Sequence, residues 1–379
     1  MIVRVRKGEL KKKKAKVEND LIRKLKIWVI YPHFETSDPN LQHYYDFSQS
    51  LAEYTKLFGE LNADWIWEPV TMKTFKEVIG TIRKRSGRKI PLVLNLCDGD
   101  EVNGTPGISV IHELERNRII YTGSNTHYYD ITTSKIPMKE AFDKAGVANA
   151  GWEVIKDDAT AAGLFERIGS PVILKPAVSG GSMGVSVRNV VSTEEELLER
   201  LSEIRNGYRG WNLLTGGLLA EQFITGPEFT TLVVGTPCTP SGCKVYTPVE
   251  RVFHESLPDS EKFLSFDRLW EIYEDEQAMP ANENFYDYHL PEESLVPSLK
   301  ELSIEAYKAV GGIGYGRLDI RMDAKTGKLF VLEVNAQCGL SEDEDYTSIG
   351  AILRYSGVSF TQLILEIIED AFHRRNLKP

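Results

Sequence analysis

The sequence is short of the features that mark membrane, secreted and disulfide-rich proteins. No apolar run approaches the roughly 20 residues that a helix needs to cross a bilayer, and no apolar segment follows the early lysine run 11–14, as a signal peptide would require. Cysteine is scarce: the four cysteines at positions 97, 238, 243 and 338 form neither a CxxC site nor an evident disulfide framework. We therefore expect a cytoplasmic protein without a membrane partner.

Positive charge is also in short supply. The chain has 45 Lys and Arg against 55 Asp and Glu, a net charge of -10, which argues against nucleic acid as a partner. The lysine run 11–14 is an exception, but a charged lead-in of this kind is more often a solvated helix or frayed tail than a binding arm. At 379 residues, the chain can bury a large core and divide into two or three lobes.

Two segments near the C-terminal end predict a hairpin. They cover residues 316–323 and 329–335, and the turn between them contains Gly327. A short connection of this kind makes the two strands antiparallel neighbours. Side chains that are two residues apart in a strand lie on the same face. The hairpin should therefore bring polar groups from both strands together.

Four polar side chains fall on such shared faces, namely Arg317 and Asp319 in the first strand, and Glu333 and Asn335 in the second. The carboxylates and the amide offer hard oxygen ligands, which suit Mg²⁺ better than zinc or copper. An arginine beside them is useful if a phosphate or a developing oxyanion is held nearby. The alternative is a surface hairpin with salt-bridged charges.

A glycine loop upstream adds a second indication of phosphate binding. The apolar run 171–174 leads into Lys175, and the loop that follows contains Ser179, Gly180, Gly181 and Ser182. Glycines let backbone N–H groups approach phosphate oxygens, and the serines add hydroxyl donors. The spacing is neither a Walker A loop nor G-x-G-x-x-G. We expect a strand, this loop and then a second strand at 185–187, although a plain hairpin turn is the alternative.

A third segment, 219–230, reads as one wall of a nucleotide pocket. Glu221 could accept from an adenine amino group and Glu228 from ribose hydroxyls, with the hydrophobic pair Phe223 and Ile224 between them. Taken singly, these glutamates are more readily explained as solvated side chains.

Together these motifs resemble the ATP-grasp carboxylate–amine ligases, and most closely the D-alanine–D-alanine ligases. The resemblance runs from about residue 26 to the C-terminus. It rests on an ordered set of motifs: Lys135, Lys175-Pro176, the glycine loop 179–184, Glu-x-x-x-x-Gly-Pro-Glu ending at Glu228, Gly-Arg-x-Asp at 316–319 and Glu-x-Asn at 333–335.

The resemblance implies a role for each of these residues. Lys135, Lys175 and the loop residues Ser179 to Ser182 would hold the ATP phosphates, and Glu221, Phe223, Ile224 and Glu228 would take the adenosine. Arg317 and Ser182 would act in catalysis. Asp319, Glu333 and Asn335 would bind two Mg²⁺ ions, with Mn²⁺ as the alternative metal. It also implies small-molecule carboxylate and amine substrates and a homodimer.

The resemblance further implies an α/β ATP-grasp fold of three lobes, with ATP between the last two. We assign a charged extension to 1–25, a mostly parallel α/β domain to 26–134, a lid lobe to 135–218 and a catalytic lobe to 219–379. Alternating strand and helix patterns in the second of these ranges agree with it. A helix is predicted at 359–374 from apolar residues at helical spacing.

The two segments that would bind the substrates depart from the family pattern. The segment 31–40 lacks the glycine-rich turn, and Asn335 is followed by Ala336 to Ser341 and an acidic run, 342–345. Four carboxylates there would repel a carboxylate and attract an amine-rich group, unless the run is a solvated loop. A family lysine expected after Tyr288 is missing, and His289 or Lys262 could replace it. The stretch 253–279 looks like an insertion that shapes the substrate site or forms a surface helix.

These departures favour a specialised amide- or dipeptide-forming ligase. Three alternatives stay open: a true D-alanine–D-alanine ligase, a small-molecule kinase on the same scaffold, and an ATP-binding regulator without turnover.

Overall fold

The computed structural model describes residues 21–33, 46–102, 104–207, 211, 213–273, 276–280, 283–343, 345 and 347–375. Most of the predicted N-terminal extension, the departing segment from 34 to 40 and residue 344 of the acidic run lie outside these ranges. No single helix within them is long and apolar enough to cross a membrane, although one bent pair of helices, Ser348–Ser356 with Phe360–Arg375, meets that test when taken together.

The N-terminal lobe is a four-stranded parallel sheet in the order β2-β1-β3-β4. Its elements are β1 (Leu25–Pro32), α1 (Ser48–Glu60), β2 (Trp65–Val70), α2 (Phe75–Arg85), β3 (Ile90–Asn95), α3 (Ile108–Arg116), β4 (Ile120–Tyr121) and α4 (Thr126–Thr133). The apolar run in β1 is continuous because both faces are covered. Ile27 and Val29 pack into one core, and Trp28 and Ile30 pack into another. The predicted mostly parallel sheet is confirmed.

The lid lobe is built on an antiparallel sheet in the order β5-β8-β6-β7. Its elements are α5 (Lys135–Ala145), β5 (Trp152–Ile155), α6 (Asp158–Ala161), α7 (Leu164–Ile168), β6 (Val172–Pro176), β7 (Val190–Val191), α8 (Glu194–Asn206) and β8 (Leu218–Gln222). Leu174 and Ala220 of the sheet pack with Leu197 and Leu201 of α8. The predicted boundary at 218 falls at the start of β8, so this strand belongs to the lid sheet.

The strand predicted at 185–187 is wrong. After the glycine loop the chain forms one turn of 3₁₀ helix, Val187–Asn189, before β7 begins. The reason is Asn189, whose side chain accepts a hydrogen bond from the Ser186 N–H and donates to the carbonyls of Leu174 and Gly184. This side chain therefore occupies backbone groups that a strand ladder would otherwise pair.

The C-terminal lobe contains an antiparallel sheet in the order β12-β11-β9-β13-β14, with β10 paired to β9. Its elements are β9 (Glu228–Gly235), β10 (Cys243–Val245), β11 (Val249–Phe253), α9 (Phe266–Trp270), β12 (Tyr286–His289), α10 (Val296–Ala309), β13 (Tyr315–Met322), β14 (Leu329–Asn335), α11 (Ser348–Ser356) and α12 (Phe360–Arg375). The predicted last helix is confirmed. Leu363 and Ile367 of α12 share a core with Ile27 of β1, which fixes this lobe against the N-terminal lobe.

Candidate functional site

The predicted hairpin of β13 and β14 is confirmed, and its register pairs the predicted side chains. Asp319 lies opposite Glu333, and Arg317 lies opposite Asn335. The register shifts just beyond this point, because Leu332 is an extra residue in β14. All four polar side chains line one cavity of about 570 Å³. The structure therefore brings together the two predicted carboxylates, the amide and the arginine.

The donors of this hairpin lie close to one another. Arg317 Nη2 is 3.0 Å from Asp319 Oδ2, and Asn335 Nδ2 is 3.2 Å from Glu333 Oε1 and 3.5 Å from Asp319 Oδ2. Burial opposes ionisation of Asp319, but the guanidinium groups of Arg317 and Arg251 hold the pKa of this carboxyl below its usual range. The carboxylate is thus kept ionised in a largely buried position, as a metal ligand must be.

This donor set fits Mg²⁺. The Oδ1 atom of Asp319 is buried and has no hydrogen-bond partner among the described residues, so one acceptor is available to a cation. No group of three or more His, Cys, Asp and Glu side chains suited to a metal occurs in the described ranges. Mg²⁺, however, commonly takes one or two protein carboxylates and completes its shell with phosphate oxygens and water. Rotation of the Asn335 amide would present its oxygen as a third ligand.

The glycine loop lines the same cavity as the hairpin. Lys135 Nζ donates to the carbonyl and hydroxyl oxygens of Ser179 at 3.3 and 3.2 Å, which places this lysine at the loop's entrance. Ser182 has φ 62°, a conformation that is uncommon outside glycine. Gly184 has φ 76°, and a Cβ there would lie 2.7 Å from the Leu213 side chain. A side chain at that position would be strained, and residues 179–183 of the loop line the cavity.

Glu221 lies between two lysines at the back of the cavity. Its Oε2 atom is 2.7 Å from Lys175 Nζ, and its Oε1 atom pairs with Lys139. Despite burial, these two lysines lower the pKa of Glu221 to about 2. Burial lowers the pKa of Lys139 as well. Lys139 was not among the predicted residues, although it follows Lys135 by four positions and so shares its helix face.

Glu228 also has two cationic partners. Arg251 of β11 pairs with one carboxylate oxygen, and Arg321 of β13 pairs with the other. Arg321 also donates to the carbonyl of Ile224 at 3.1 Å. Neither arginine was predicted as a site residue. The i+4 spacing of Arg321 from Arg317 places both on the cavity face of β13, and this was the signal available in the sequence.

The insertion forms the outer wall of the cavity. Its Phe263 packs with Phe223, Ile173 and Val185 in one apolar cluster, and the rings of Phe223 and Phe263 meet edge to face at 5.7 Å. This cluster is an apolar slot of the kind that a nucleobase fills. In place of the surface helix given as the alternative, the described part of the insertion contains the short helix α9, three of whose five residues are buried.

The same insertion holds the glycine loop. Ser182 Oγ donates to the Leu264 carbonyl at 2.8 Å, and Trp270 Nε1 donates to the Gly181 carbonyl at 2.9 Å. Lys262 pairs with Asp259, and His289 is exposed on β12. Neither of these two side chains lines the cavity, whereas Arg251 does.

The far end of the cavity, which we call the substrate end, is acidic. Asp46, Asp98 and Asp100 line it, together with Ser341. In the acidic run, Glu342 pairs with Lys56, and Asp343 accepts from Gln49 at 2.9 Å, so both residues contact α1. Cys338 is buried there, and burial raises the pKa of its thiol to about 11. A thiol with this pKa is a packing group and not a nucleophile.

Comparison with known proteins agrees with this geometry. The family model described as D-ala D-ala ligase C-terminus matches residues 141–369. The D-alanine–D-alanine ligase of Nitrosococcus oceani is 24% identical over 262 residues, covering 69% of this chain and 72% of that protein. The D-alanine–D-alanine ligase B of Xanthomonas campestris is 27% identical over 281 residues, covering 73% and 77%.

Two solved structures share the fold. The D-alanine–D-alanine ligase of Bacillus anthracis, crystallised with ATP, has a TM-score of 0.62 and 18% identity, covering 92% of this chain and 98% of that one. The VanG D-Ala:D-Ser ligase of Enterococcus faecalis also has a TM-score of 0.62, with 16% identity and coverage of 91% and 99%. The predicted three-lobed α/β fold of the ATP-grasp type is confirmed.

Proposed function

The chain belongs to the D-ala D-ala ligase C-terminus family, and from this premise we propose that it joins a small amino-acid carboxylate to an amine through an acyl phosphate. Family membership makes it an ATP-dependent ligase that forms carbon–nitrogen bonds and releases ADP. The observation that carries the proposal is the register of β13 and β14, which places Asp319 opposite Glu333 with Arg317 alongside.

The nucleotide would lie between the lid lobe and the C-terminal lobe. Lys135, Lys175 and the glycine loop would hold its phosphates, while Asp319, Glu333 and Asn335 would hold Mg²⁺. When bound, Mg²⁺ neutralises charge on the phosphate oxygens and polarises the transferred group. The insertion keeps the loop close to the cavity through Ser182 and Trp270, and this arrangement helps to exclude water.

The adenosine contacts are compatible with the ion pairs described above. A carboxylate offers about four lone-pair sites. Glu221 can therefore accept from the adenine amino group while Lys139 and Lys175 stay bound, and Glu228 can accept from ribose hydroxyls beside an arginine. Phe223 would face the base, and the backbone of Ile224 would contact its edge.

In the reaction, a carboxylate oxygen of the first substrate attacks the γ-phosphorus, and the bond from that phosphorus to the ADP oxygen breaks. A neutral amine then attacks the carbonyl carbon of the acyl phosphate. Arg317 would stabilise the oxyanion that develops at this carbon. The bond from carbon to the phosphate oxygen breaks, inorganic phosphate leaves, and the nitrogen loses a proton to give the amide. The chain supplies mainly positioning and electrostatic stabilisation.

The substrate end favours a specialised ligase. Asp46 and Asp100 line it, together with Asp98, whose pKa burial raises to about 7. Ionised carboxylates there repel a substrate carboxylate and attract an ammonium group. A true D-alanine–D-alanine ligase is the alternative, and the family relatives fit it as well.

The deciding experiment measures ADP release over a panel of amino acids and amines that includes D-alanine, with mass spectrometry of the product. An amide from D-alanine alone would identify a D-alanine–D-alanine ligase, and an amide from other pairs would identify a specialised ligase. A stable phosphate ester would indicate a kinase. Nucleotide binding without ADP release would indicate a regulator.

A further inference from the structure

A row of four polar side chains crosses the floor of the cavity, one from each of four adjacent strands. Tyr288 of β12 pairs in register with Arg251 of β11, Arg251 with Glu228 of β9, and Glu228 with Arg321 of β13. All four side chains line the cavity. Because register partners lie directly opposite one another on a sheet face, the row is continuous.

One end of this row lies beside both the apolar slot and the hairpin of β13 and β14. The Arg321 guanidinium lies over the Phe223 ring, 5.3 Å from its centroid, at the edge of the slot. Asp319 is two residues from Arg321 along β13 and therefore shares its face. A nucleotide with its base in the slot and its terminal phosphates at the hairpin would place its ribose and inner phosphates beside the row.

The row carries more positive than negative charge. Its two guanidinium groups share one carboxylate, that of Glu228. Arg251 and Arg321 are each only 3% exposed, and the Nε atom of each lacks a hydrogen-bond partner among the described residues. A buried cation without a full set of partners is costly. Among the described residues, the row therefore has buried guanidinium donors that no acceptor occupies.

We propose that Arg251 contacts the phosphate chain of the bound nucleotide. The contact would use guanidinium donors that Glu228 does not occupy, and guanidinium groups suit phosphate oxygens well. The lysine expected after Tyr288 is missing, and neither Lys262 nor His289 lines the cavity, so Arg251 supplies the cation on this side. The proposal rests on the nucleotide site of the proposed function and adds a residue to it.

The test compares ligands that differ only in phosphate. Dissociation constants of adenosine and ADP are measured by calorimetry, without added metal, for the wild type and for Arg251→Met. We expect the constant for ADP to rise by about tenfold or more, as for loss of a charge-assisted hydrogen bond, and that for adenosine to change by less than about threefold. Arg251→Lys keeps the charge and should restore most of the affinity for ADP.

Arg374→Met is the matched control. Arg374 is also a largely buried arginine, with its side chain 11% exposed, but it pairs with Asp370 in α12 and does not line the cavity. Its replacement should leave the ratio of the two constants unchanged. An equal loss of adenosine and ADP affinity in Arg251→Met, or no loss of either, would overturn the proposal. Failure of the wild type to bind any nucleotide would instead overturn the proposed function.

Discussion

The two ends of the cavity differ in charge. The nucleotide end is lined by five basic side chains, by the carboxylates of Glu221 and Glu228, and by the two carboxylates and the amide of the hairpin, whereas the substrate end is lined by aspartates and serines. The basic residues are Lys135, Lys175, Arg251, Arg317 and Arg321, and the aspartates are Asp46, Asp98 and Asp100. Under the proposed function, the first end would hold a polyphosphate and the second a substrate bearing an amine. The same scaffold would then keep its phosphoryl chemistry while its substrate changes.

Loss of a metal ligand at the nucleotide end should have the largest effect. We expect Glu333→Gln to reduce ADP release by a factor of about 10³ or more, because the amide no longer neutralises the cation that the phosphates require. Circular dichroism should show an unchanged fold. Glu301→Gln, an exposed change on α10, serves as the control. Turnover close to that of the wild type would show that the metal lies elsewhere.

Arg317 lies where the two ends meet, so its loss should affect the chemical step. Arg317→Met should lower kcat by about 10²-fold to 10³-fold, because a positioned donor to the oxyanion is removed. The KM for ATP should change little. Steady-state kinetics with both substrates varied will separate these parameters. A large rise in the KM for ATP with kcat preserved would place Arg317 in ground-state binding instead.

The ion pairs of Glu221 with Lys139 and Lys175 should make the free energy of unfolding depend on pH. The pKa of Glu221 is lowered from 4.5 to about 2, so between these values the unfolded chain binds more protons. The stability that Glu221 provides, on the order of 3 kcal/mol, is complete above about pH 4.5 and is lost as the pH falls towards 2. Denaturant unfolding at pH 7 and pH 3 should show that the difference between the wild type and Glu221→Gln narrows at the lower pH. If the free energies of unfolding of the wild type and Glu221→Gln differ by the same amount at both pH values, Glu221 does not stabilise the fold in this way.

Loss of the hydrogen bond from the insertion to the glycine loop should have the smallest effect on ATP binding. Trp270→Phe keeps the ring but removes the N–H that donates to Gly181. We expect ATP affinity to fall by about fivefold, as for one neutral hydrogen bond of about 1 kcal/mol, with kcat for saturating ATP unchanged. Titration of ATP into both proteins will measure this. Unaltered affinity would mean that the insertion does not order the glycine loop.

The two ends also differ in how far the sequence predicts them. Asp319, Glu333 and Asn335 lie in adjacent strands, so period-two spacing and one turn were enough to bring them together. The cationic partners of Glu228 come from separate strands, and β11 and β12 are separated by the insertion. Their pairing depends on tertiary register that local patterns do not encode. The homodimer and the choice between Mg²⁺ and Mn²⁺ stay predictions.

The misplaced strand at 185–187 has a similar cause. Val185 and Val187 have strand propensity, but Asn189 captures the backbone groups around them. A single side-chain network therefore overrode local propensity. At the substrate end, the cavity wall is assembled from three distant segments that contain Asp46, Asp98 and Ser341. The acidic run 342–345 was evident from the sequence, but its described residues do not line the cavity, and Glu342 and Asp343 contact α1 instead.

The central claim is that the β13–β14 hairpin holds a divalent cation that fixes ATP in the cavity. Isothermal titration of ATP in the presence of Mg²⁺ and in the presence of a chelator, for the wild type and Glu333→Gln, tests it directly. The account predicts that Mg²⁺ strengthens ATP binding to the wild type and that this dependence is lost in the variant. Equal ATP affinity of the wild type with and without Mg²⁺ would contradict it.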